Sequence, residues 1–288
     1  MSLNSQILDR PVFEKLPQVE ATLNYLMPMA EKPVNYTYEP PPGIPRQSGT
    51  YETRKLPIYN ARSISKIFSL EREGFVFTEH HSDVQDFYNE DEVRYVYFLE
   101  VEQLVADVTG AAKVIVFDHN VRDARRAQQG LNGAKEPVKR VHNDFTAKSG
   151  YSRAQIVLSA LGADNLNALR QQRFSIINVW RPIVSPVQTS PLAVCDAGSI
   201  ALSDLVASDL VYRDRVGETY AVTYSPEHRW FYFPQMQQHE VLLIKCFDSV
   251  EEGRARFTAH TAFDDPTSLP DAPSRESIEL RTLVLYSN

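Results

Sequence analysis

Apolar positions change their spacing along the chain, from a helical pattern in the first half to short, strand-like runs in the second. Residues 82–110 carry apolar side chains three to four positions apart, which predicts an amphipathic helix that begins at Ser82 or Asp83. Shorter helices are predicted over 18–29 and 152–173. Runs rich in β-branched and aromatic residues, bounded by Pro, Gly and Asp, predict strands. These strands are 111–117, 174–180, 191–197, 210–214, 219–225, 228–234, 240–248 and 276–286.

Many short strands after a helical first half predict a mainly β fold with flanking helices, of the double-stranded β-helix (jelly-roll) type. A length of 288 residues suits one such domain. Residues 1–62 are too few for a core of their own, and the proline-rich stretch 35–47 is predicted to wrap over the body instead of pairing within it. We therefore expect a single domain, 1–288, with a wrapped N-terminal arm, 1–62.

Charge and composition narrow the classes of partner. The net charge of −7 argues against nucleic acid, because no basic excess is present to neutralise phosphates. No apolar run reaches the roughly 18 residues of a membrane span, and the N-terminus lacks a signal pattern, so we expect a soluble, cytoplasmic protein without a membrane partner. The two cysteines, Cys195 and Cys246, lie in apolar stretches typical of buried core positions. Monomer and homodimer both remain open.

A histidine and a carboxylate two positions apart form the first candidate for chemistry. In His142-Asn143-Asp144 the two outer side chains of an extended segment point to the same side, so they can converge on one ion. A second such motif, His81-Ser82-Asp83, lies where the first helix is predicted to begin, and Asp83 is better explained as a capping acid. We favour His142 and Asp144, because they precede the strand-rich half.

The third ligand is predicted 118 residues later, at His260, and the last predicted strand begins with Arg275-Glu276-Ser277. Two histidines and one carboxylate form a facial triad that leaves positions on Fe(II) open for a bidentate 2-oxo acid and for O2. Arg275 can bind the far carboxylate of that co-substrate as a planar fork, and Ser277 can add a hydroxyl on the same strand face. An alternative set uses His228 as third ligand and Lys245 as the cation.

The sequence also resembles a known family. The strings HNDFT, NVWRP, PLAVCDA, HRWFYFPQM, EVLLIKCFDS, RARFTAHTAF and APSRESIELR are similar to those of fungal hydroxylase/desaturases of secondary metabolism, the gibberellin desaturase type, and of proteins of cephamycin 7α-methoxylation. The resemblance implies a 2-oxoglutarate-dependent dioxygenase that hydroxylates, desaturates or rearranges a small natural product. It also implies that His142, Asp144 and His260 bind iron and that Arg275 binds 2-oxoglutarate.

Two further points stay open at this stage. Asn178, on the strand 174–180, is a candidate for a hydrogen bond to the co-substrate, and a structural role explains it equally well. The alternative function is a non-catalytic jelly-roll protein that binds a small molecule. A hydrolase is disfavoured because the sequence has no G-x-S-x-G elbow, no P-loop and no G-x-G-x-x-G after a strand.

Overall fold

The structure, a computed structural model, describes residue 13 and residues 15–131, 134–162 and 172–287. Strands dominate it. In chain order they are β1 (Gln18–Leu26), β2 (Val34–Tyr36), β3 (Tyr51–Asn60), β4 (Phe75–Glu79), β5 (Lys113–Asp123), β6 (His142–Asn143), β7 (Phe174–Pro182), β8 (Leu192–Cys195), β9 (Leu205–Val211), β10 (Val216–Val222), β11 (Trp230–Tyr232), β12 (Glu240–Asp248), β13 (His260–Ala262) and β14 (Glu276–Leu285).

The helices are few and lie mostly in the first half of the chain. A short α-helical turn, Glu90–Glu92, and a π-helical turn, Val93–Tyr97, lead into helix α1, and three 3-10 segments connect strands. The α-helices are α1 (Phe98–Thr109), α2 (Ala124–Gln128) and α3 (Ala147–Ala160), and the 3-10 segments are Arg62–Ile67, Ala197–Ser199 and Leu202–Asp204. None of the helices in the described ranges is long and apolar enough to cross a membrane.

Two sheets face each other across an apolar core. One has the strand order β1-β3-β11-β8-β13-β6-β10-β9-β2 and the other β4-β12-β7-β14-β5. Phe174, Ile176 and Trp180 of β7 pack between the sheets against Val194 and Phe231 of the larger sheet. The intervening residues of β7 face outward, where α1 covers the smaller sheet. Because both faces are covered, every residue of β7 is buried.

The N-terminal region corrects two predictions. Residues 18–26 form strand β1 and not a helix, since Val19, Ala21, Leu23 and Tyr25 alternate inward while their neighbours face outward. The predicted arm pairs within the larger sheet instead of wrapping over it, because β1 pairs with β3 and β2 pairs with β9. The expectation of one domain over 1–288 stays a prediction.

The predicted helix over 82–110 is shorter than expected. The carboxylate of Glu92 accepts hydrogen bonds from the backbone N–H groups of Gln85 and Asp86, which turns this segment away from helical geometry. Asn89 then caps the helical region through its side-chain oxygen, so the prediction of a cap at Ser82 or Asp83 is wrong.

Most predicted strands are confirmed, including β12 over the full range 240–248 and β14 over 276–285. The strand expected at 210–214 lies earlier, at 205–211, and the helix expected over 152–173 is α3, which begins at Ala147. Residues 163–171 of that predicted helix lie outside the described residues. The helix is set by a capping box in which Thr146 and Ser149 satisfy each other's backbone N–H groups.

Candidate metal centre and co-substrate pocket

Strand pairing brings the two predicted histidine ligands together. His142 on β6 lies directly opposite His260 on β13, and their ring centroids are 4.5 Å apart. Asp144 follows β6, with its Oδ1 atom 3.6 Å from Nε2 of His142. One potential ligand atom from each of these three residues lies within 4.8 Å of the others. The chain therefore assembles two imidazoles and one carboxylate at a single point.

Backbone carbonyls orient both imidazole rings. Nδ1 of His142 lies 2.8 Å from the carbonyl oxygen of Arg140, and Nδ1 of His260 lies 3.1 Å from that of Thr258. A carbonyl oxygen only accepts, so Nδ1 carries the hydrogen in each ring and Nε2 keeps its lone pair. This is the tautomer in which Nε2 is free to bind a metal ion, with the second nitrogen held by the protein.

Asn143 ties the segments that carry the ligands. Its side chain is fully buried and donates to the carbonyls of Phe145 and Cys246, at 2.6 and 2.9 Å. Its side-chain oxygen accepts from the N–H of Thr258, two residues before His260. Because buried polar groups are costly unless paired, these bonds fix the two ligand segments in one relative position.

Asp144 reaches across the molecule to the smaller sheet. Its Oδ2 atom accepts from Nδ2 of Asn178 on β7 and from Nε of Arg281 on β14, both at 2.8 Å. Burial alone would raise the pKa of Asp144, but Arg281 and the two imidazoles hold it well below its ordinary value. The residue is therefore a carboxylate with Oδ1 left for an additional partner.

His142 is held in its neutral form. Burial, together with the nearby imidazole of His260, lowers the pKa of His142 to about 3. Metal ligands must be deprotonated at the coordinating atom, so this residue needs to release no proton before binding at neutral pH.

A small inner pocket, lined by His142, His260 and Arg275, adjoins the triad. Arg275 is 3% exposed and lies over the ring of Trp180, and its Nη1 donates to the carbonyl of Ser190 at 2.6 Å. Its Nε atom and the hydroxyl of Ser277 are buried without a hydrogen-bond partner among the described residues. Burial, with the positive charge of Arg122, lowers the pKa of Arg275 to about 9. These donors lack an acceptor that a carboxylate would supply.

The rival ligand set is engaged elsewhere. His228 contacts the hydroxyl of Tyr25 through Nδ1 and the carboxylate of Asp204 through Nε2, each at 3.1 Å. Lys245 is fully buried, and its ammonium group pairs with Glu71 and Asp248. The structure brings neither residue into the group with His142 and Asp144.

The other H-x-D motif also lies apart from the triad. The ring of His81 stacks on that of His239, and the backbone N–H of Asp83 donates to Glu100. Asn178, which we considered for the co-substrate, directs its Nδ2 atom at Asp144. Its contact with the co-substrate stays a prediction.

A large cavity of about 1320 Å³ opens onto the triad. His142 and Asp144 line it, with apolar surface from Phe117, Phe145 and Tyr220. Its remaining wall is rich in cationic side chains, which include Arg122, Lys135, Arg140, Lys148 and Arg153.

Sequence reasoning missed Arg281 and Asn143. Arg281 lies four residues after Ser277 on β14, and alternation along a strand places both on one face. This alternation can be read from the sequence, and it identifies Arg281 as a residue near the site. No pattern in the sequence identifies Asn143, because two of its three partners, Cys246 and Thr258, come from distant segments.

Comparison with known proteins places these features in context. The profile of an oxidoreductase/YMDC permease-like domain matches residues 23–285. Hydroxylase/desaturase efuI of Hormonema carpetanum is 32% identical, over 94% of this chain and 96% of its own length. The alpha-ketoglutarate-dependent dioxygenase phiK of a fungal species is 36% identical, over 77% of this chain and 81% of its own.

A solved structure shares the architecture. The iron and alpha-ketoglutarate-dependent endoperoxidase NvfI superposes with a TM-score of 0.83 at 28% identity, over 94% of this chain and 99% of that one. The related sequence nvfI comes from Aspergillus novofumigatus. With this likeness, the jelly-roll fold predicted from the sequence is confirmed.

Proposed function

Because the chain belongs to the family of fungal hydroxylase/desaturases and Fe(II)/2-oxoglutarate-dependent dioxygenases, we propose that His142, Asp144 and His260 hold its iron and that Arg275 and Ser277 bind 2-oxoglutarate. The chain is a non-haem iron oxygenase of fungal secondary-metabolism type, acting on a small molecule with O2. The converging triad carries the residue assignment. The alternative of a non-catalytic jelly-roll binder has no such support.

The donor set suits Fe(II). Two imidazole nitrogens and one carboxylate form the facial set that non-haem Fe(II) oxygenases use, and three positions are left for other ligands. Backbone carbonyls engage both Nδ1 atoms, which leaves each Nε2 for a metal ion, and Asp144 offers a carboxylate oxygen beside them. When bound, Fe(II) with 2-oxoglutarate supplies oxidation of unactivated C–H bonds by O2.

The inner pocket suits the distal carboxylate of 2-oxoglutarate. The Nε atom of Arg275 and the hydroxyl of Ser277 are buried donors without partners among the described residues. An arginine fork binds a carboxylate through charge-assisted hydrogen bonds, which are stronger than neutral ones. Trp180 and Leu192 give the inner pocket apolar walls beside Arg275.

The chain's own residues orient and protect this site. Asn178 and Arg281 hold one oxygen of Asp144, so that the other remains directed at the two imidazoles. The cavity of about 1320 Å³ would receive the substrate beside His142 and Asp144, and it is larger than the roughly 300–1,000 Å³ of typical ligand pockets. A bulky natural product fits such a volume.

We place the protein in the cytoplasm, on the support of two buried, unpaired cysteines that a reducing compartment preserves. A monomer and a homodimer would carry the same site, since one chain supplies the triad and the inner pocket.

Iron stoichiometry tests the ligand assignment. We expect one Fe(II) per chain after anaerobic loading of wild type, and loss of iron in His142→Ala, Asp144→Ala and His260→Ala with the fold retained. His228→Ala serves as the matched control, because its partners are Tyr25 and Asp204 and it should bind iron normally. Full iron loading in His260→Ala, with loss in His228→Ala, would move the third ligand to His228.

Co-substrate affinity tests the inner pocket separately. Replacing Arg275 with Leu should weaken 2-oxoglutarate binding by roughly 10- to 100-fold, because a charged hydrogen-bond partner is lost. Iron content should not change, since Arg275 is not a ligand. Normal 2-oxoglutarate affinity in this variant, measured by anaerobic calorimetry on the iron-loaded protein, would refute the assignment of the pocket.

A further inference from the structure

A second arginine faces the inner pocket from the edge strand of the smaller sheet. In the pairing of β5 with β14, Arg122 lies directly opposite Ser277. Residues directly opposite in an antiparallel pair project to the same face, so the side chain of Arg122 lies on the side of the sheet that carries Ser277. It lines the inner pocket together with Arg275, His142 and His260.

A β-bulge creates this arrangement. Ile115 and Phe117 of β5 pack in the core between the sheets, so simple alternation would turn residues 119 and 121 inward next. The register shifts by one residue, because Val116 pairs with Thr282 whereas Asp118 pairs with Arg281. A bulge of this kind redirects the side chains beyond it, and here it turns Arg122 toward the site.

The guanidinium of Arg122 lacks a direct carboxylate partner among the described residues. Among the residues that the structure describes, none forms a salt bridge with it, and its one hydrogen bond runs from Nη1 to the carbonyl of Glu136 at 2.8 Å. The nearby carboxylate of Glu279 is taken by Arg281 at 2.9 Å. Glu279 lines the same pocket and attracts both Arg122 and Arg275. The two guanidinium groups nevertheless repel each other there, so a further anion between or beside them would be bound favourably.

We propose that Arg122 is a second cation of the co-substrate pocket and binds the distal carboxylate of 2-oxoglutarate together with Arg275 and Ser277. This inference rests on the proposed function of the inner pocket. Arg122 also lines the large cavity, so it lies where the inner pocket meets the space for the substrate. It would thus select a dicarboxylic 2-oxo acid over a monocarboxylic one of the same length.

The test compares two oxo acids that differ only at the far end. 2-Oxoglutarate and 2-oxopentanoate share the group that chelates iron, but the second has a methyl group in place of the distal carboxylate. Both are titrated anaerobically into iron-loaded wild type and Arg122→Met, with dissociation constants from calorimetry. We expect Arg122→Met to weaken 2-oxoglutarate by roughly 10- to 100-fold and to change 2-oxopentanoate by less than about threefold.

Lys135→Met is the matched control. Lys135 is paired with Arg122 through the backbone and lines the large cavity, but it does not line the inner pocket. It should leave both affinities within about threefold of wild type, because its ammonium group donates to Asn120 and does not line the inner pocket. Arg122→Gln, which keeps a donor for the Glu136 carbonyl, repeats the measurement if the Met variant is unfolded.

Two results would overturn the inference. Equally weakened binding of both oxo acids would mean that Arg122 acts on the iron-chelating end, which they share, or acts indirectly. Unchanged affinity for both would mean that Arg122 serves the large cavity alone. If wild type fails to bind 2-oxoglutarate, or Arg275→Leu binds it normally, the proposed function itself fails. If both behave as proposed and only Arg122→Met keeps the wild-type affinity, the inference about Arg122 alone fails.

Discussion

Asn178→Leu tests whether the far sheet positions the carboxylate ligand. Asp144 Oδ2 accepts two hydrogen bonds at 2.8 Å, from Asn178 and from Arg281, and the substitution removes the first. The amide oxygen of Asn178 is buried without a partner among the described residues. Leucine has a similar size, so the change removes one hydrogen bond and one unsatisfied acceptor together.

The expected magnitude follows from these contacts. A hydrogen bond to a charged group contributes about 1.5–3 kcal/mol, and loss of a residue that supports a metal ligand typically lowers metal affinity about 10- to 100-fold. Arg281 continues to hold Asp144, so we expect the lower end, roughly tenfold weaker Fe(II) binding, or about 1.4 kcal/mol. Thermal stability should change little, because a buried unsatisfied acceptor is removed at the same time.

Anaerobic calorimetry measures Fe(II) affinity first and 2-oxoglutarate affinity at saturating Fe(II) second. Thr282→Val is the control, since this buried hydroxyl donates to the carbonyl of Ile177 and not to the triad. It should lower thermal stability and leave Fe(II) binding unchanged. Unaltered Fe(II) affinity in Asn178→Leu would refute the positioning role, and a selective loss of 2-oxoglutarate affinity would instead support the contact predicted from the sequence.

Two further predictions concern stability. Gly74 has a φ of +85°, and a Cβ added there would lie 2.0 Å from the Thr258 hydroxyl. Gly74→Ala should therefore lower the free energy of unfolding, measured in urea, by about 1–3 kcal/mol. It should also weaken Fe(II) binding, because the Thr258 carbonyl orients His260. Burial lowers the pKa of His228 in the folded protein, although Asp204 acts in the opposite direction. The stability that neutral His228 confers is therefore complete above the pKa of an unfolded histidine, about 6.5, and is lost as the pH falls through the lower pKa of the folded state. His228→Gln should accordingly show a deficit at pH 7.5 that shrinks by pH 5.5, and a constant deficit would contradict this.

The ligand set could be predicted from the sequence because its residues occur in short patterns of neighbouring positions. His142 and Asp144 are two residues apart on an extended segment, and Arg275 lies two residues before Ser277 at the start of the last strand. The same period of two was present in residues 18–26, where Val19, Ala21, Leu23 and Tyr25 are buried in alternation. The helix predicted there is wrong, because this alternation buries one face of a strand that pairs with β3.

The supporting residues could not be predicted in the same way. Arg122 faces the pocket only because a bulge shifts the register of β5 against β14, and no sequence pattern reveals that shift. Asn178 touches Asp144 only because two sheets face each other across the core. Such contacts depend on three-dimensional packing between segments that are far apart in the chain.

The most direct test of the central claim is the weak visible charge-transfer band of an iron-chelated 2-oxo acid. Metal-stripped protein receives Fe(II) and 2-oxoglutarate under anaerobic conditions, with His260→Ala and His228→Ala measured beside wild type. We predict the band in wild type and in His228→Ala and its absence in His260→Ala. Iron-loaded, folded wild type without a band at saturating 2-oxoglutarate, or a full band in His260→Ala, would contradict the account.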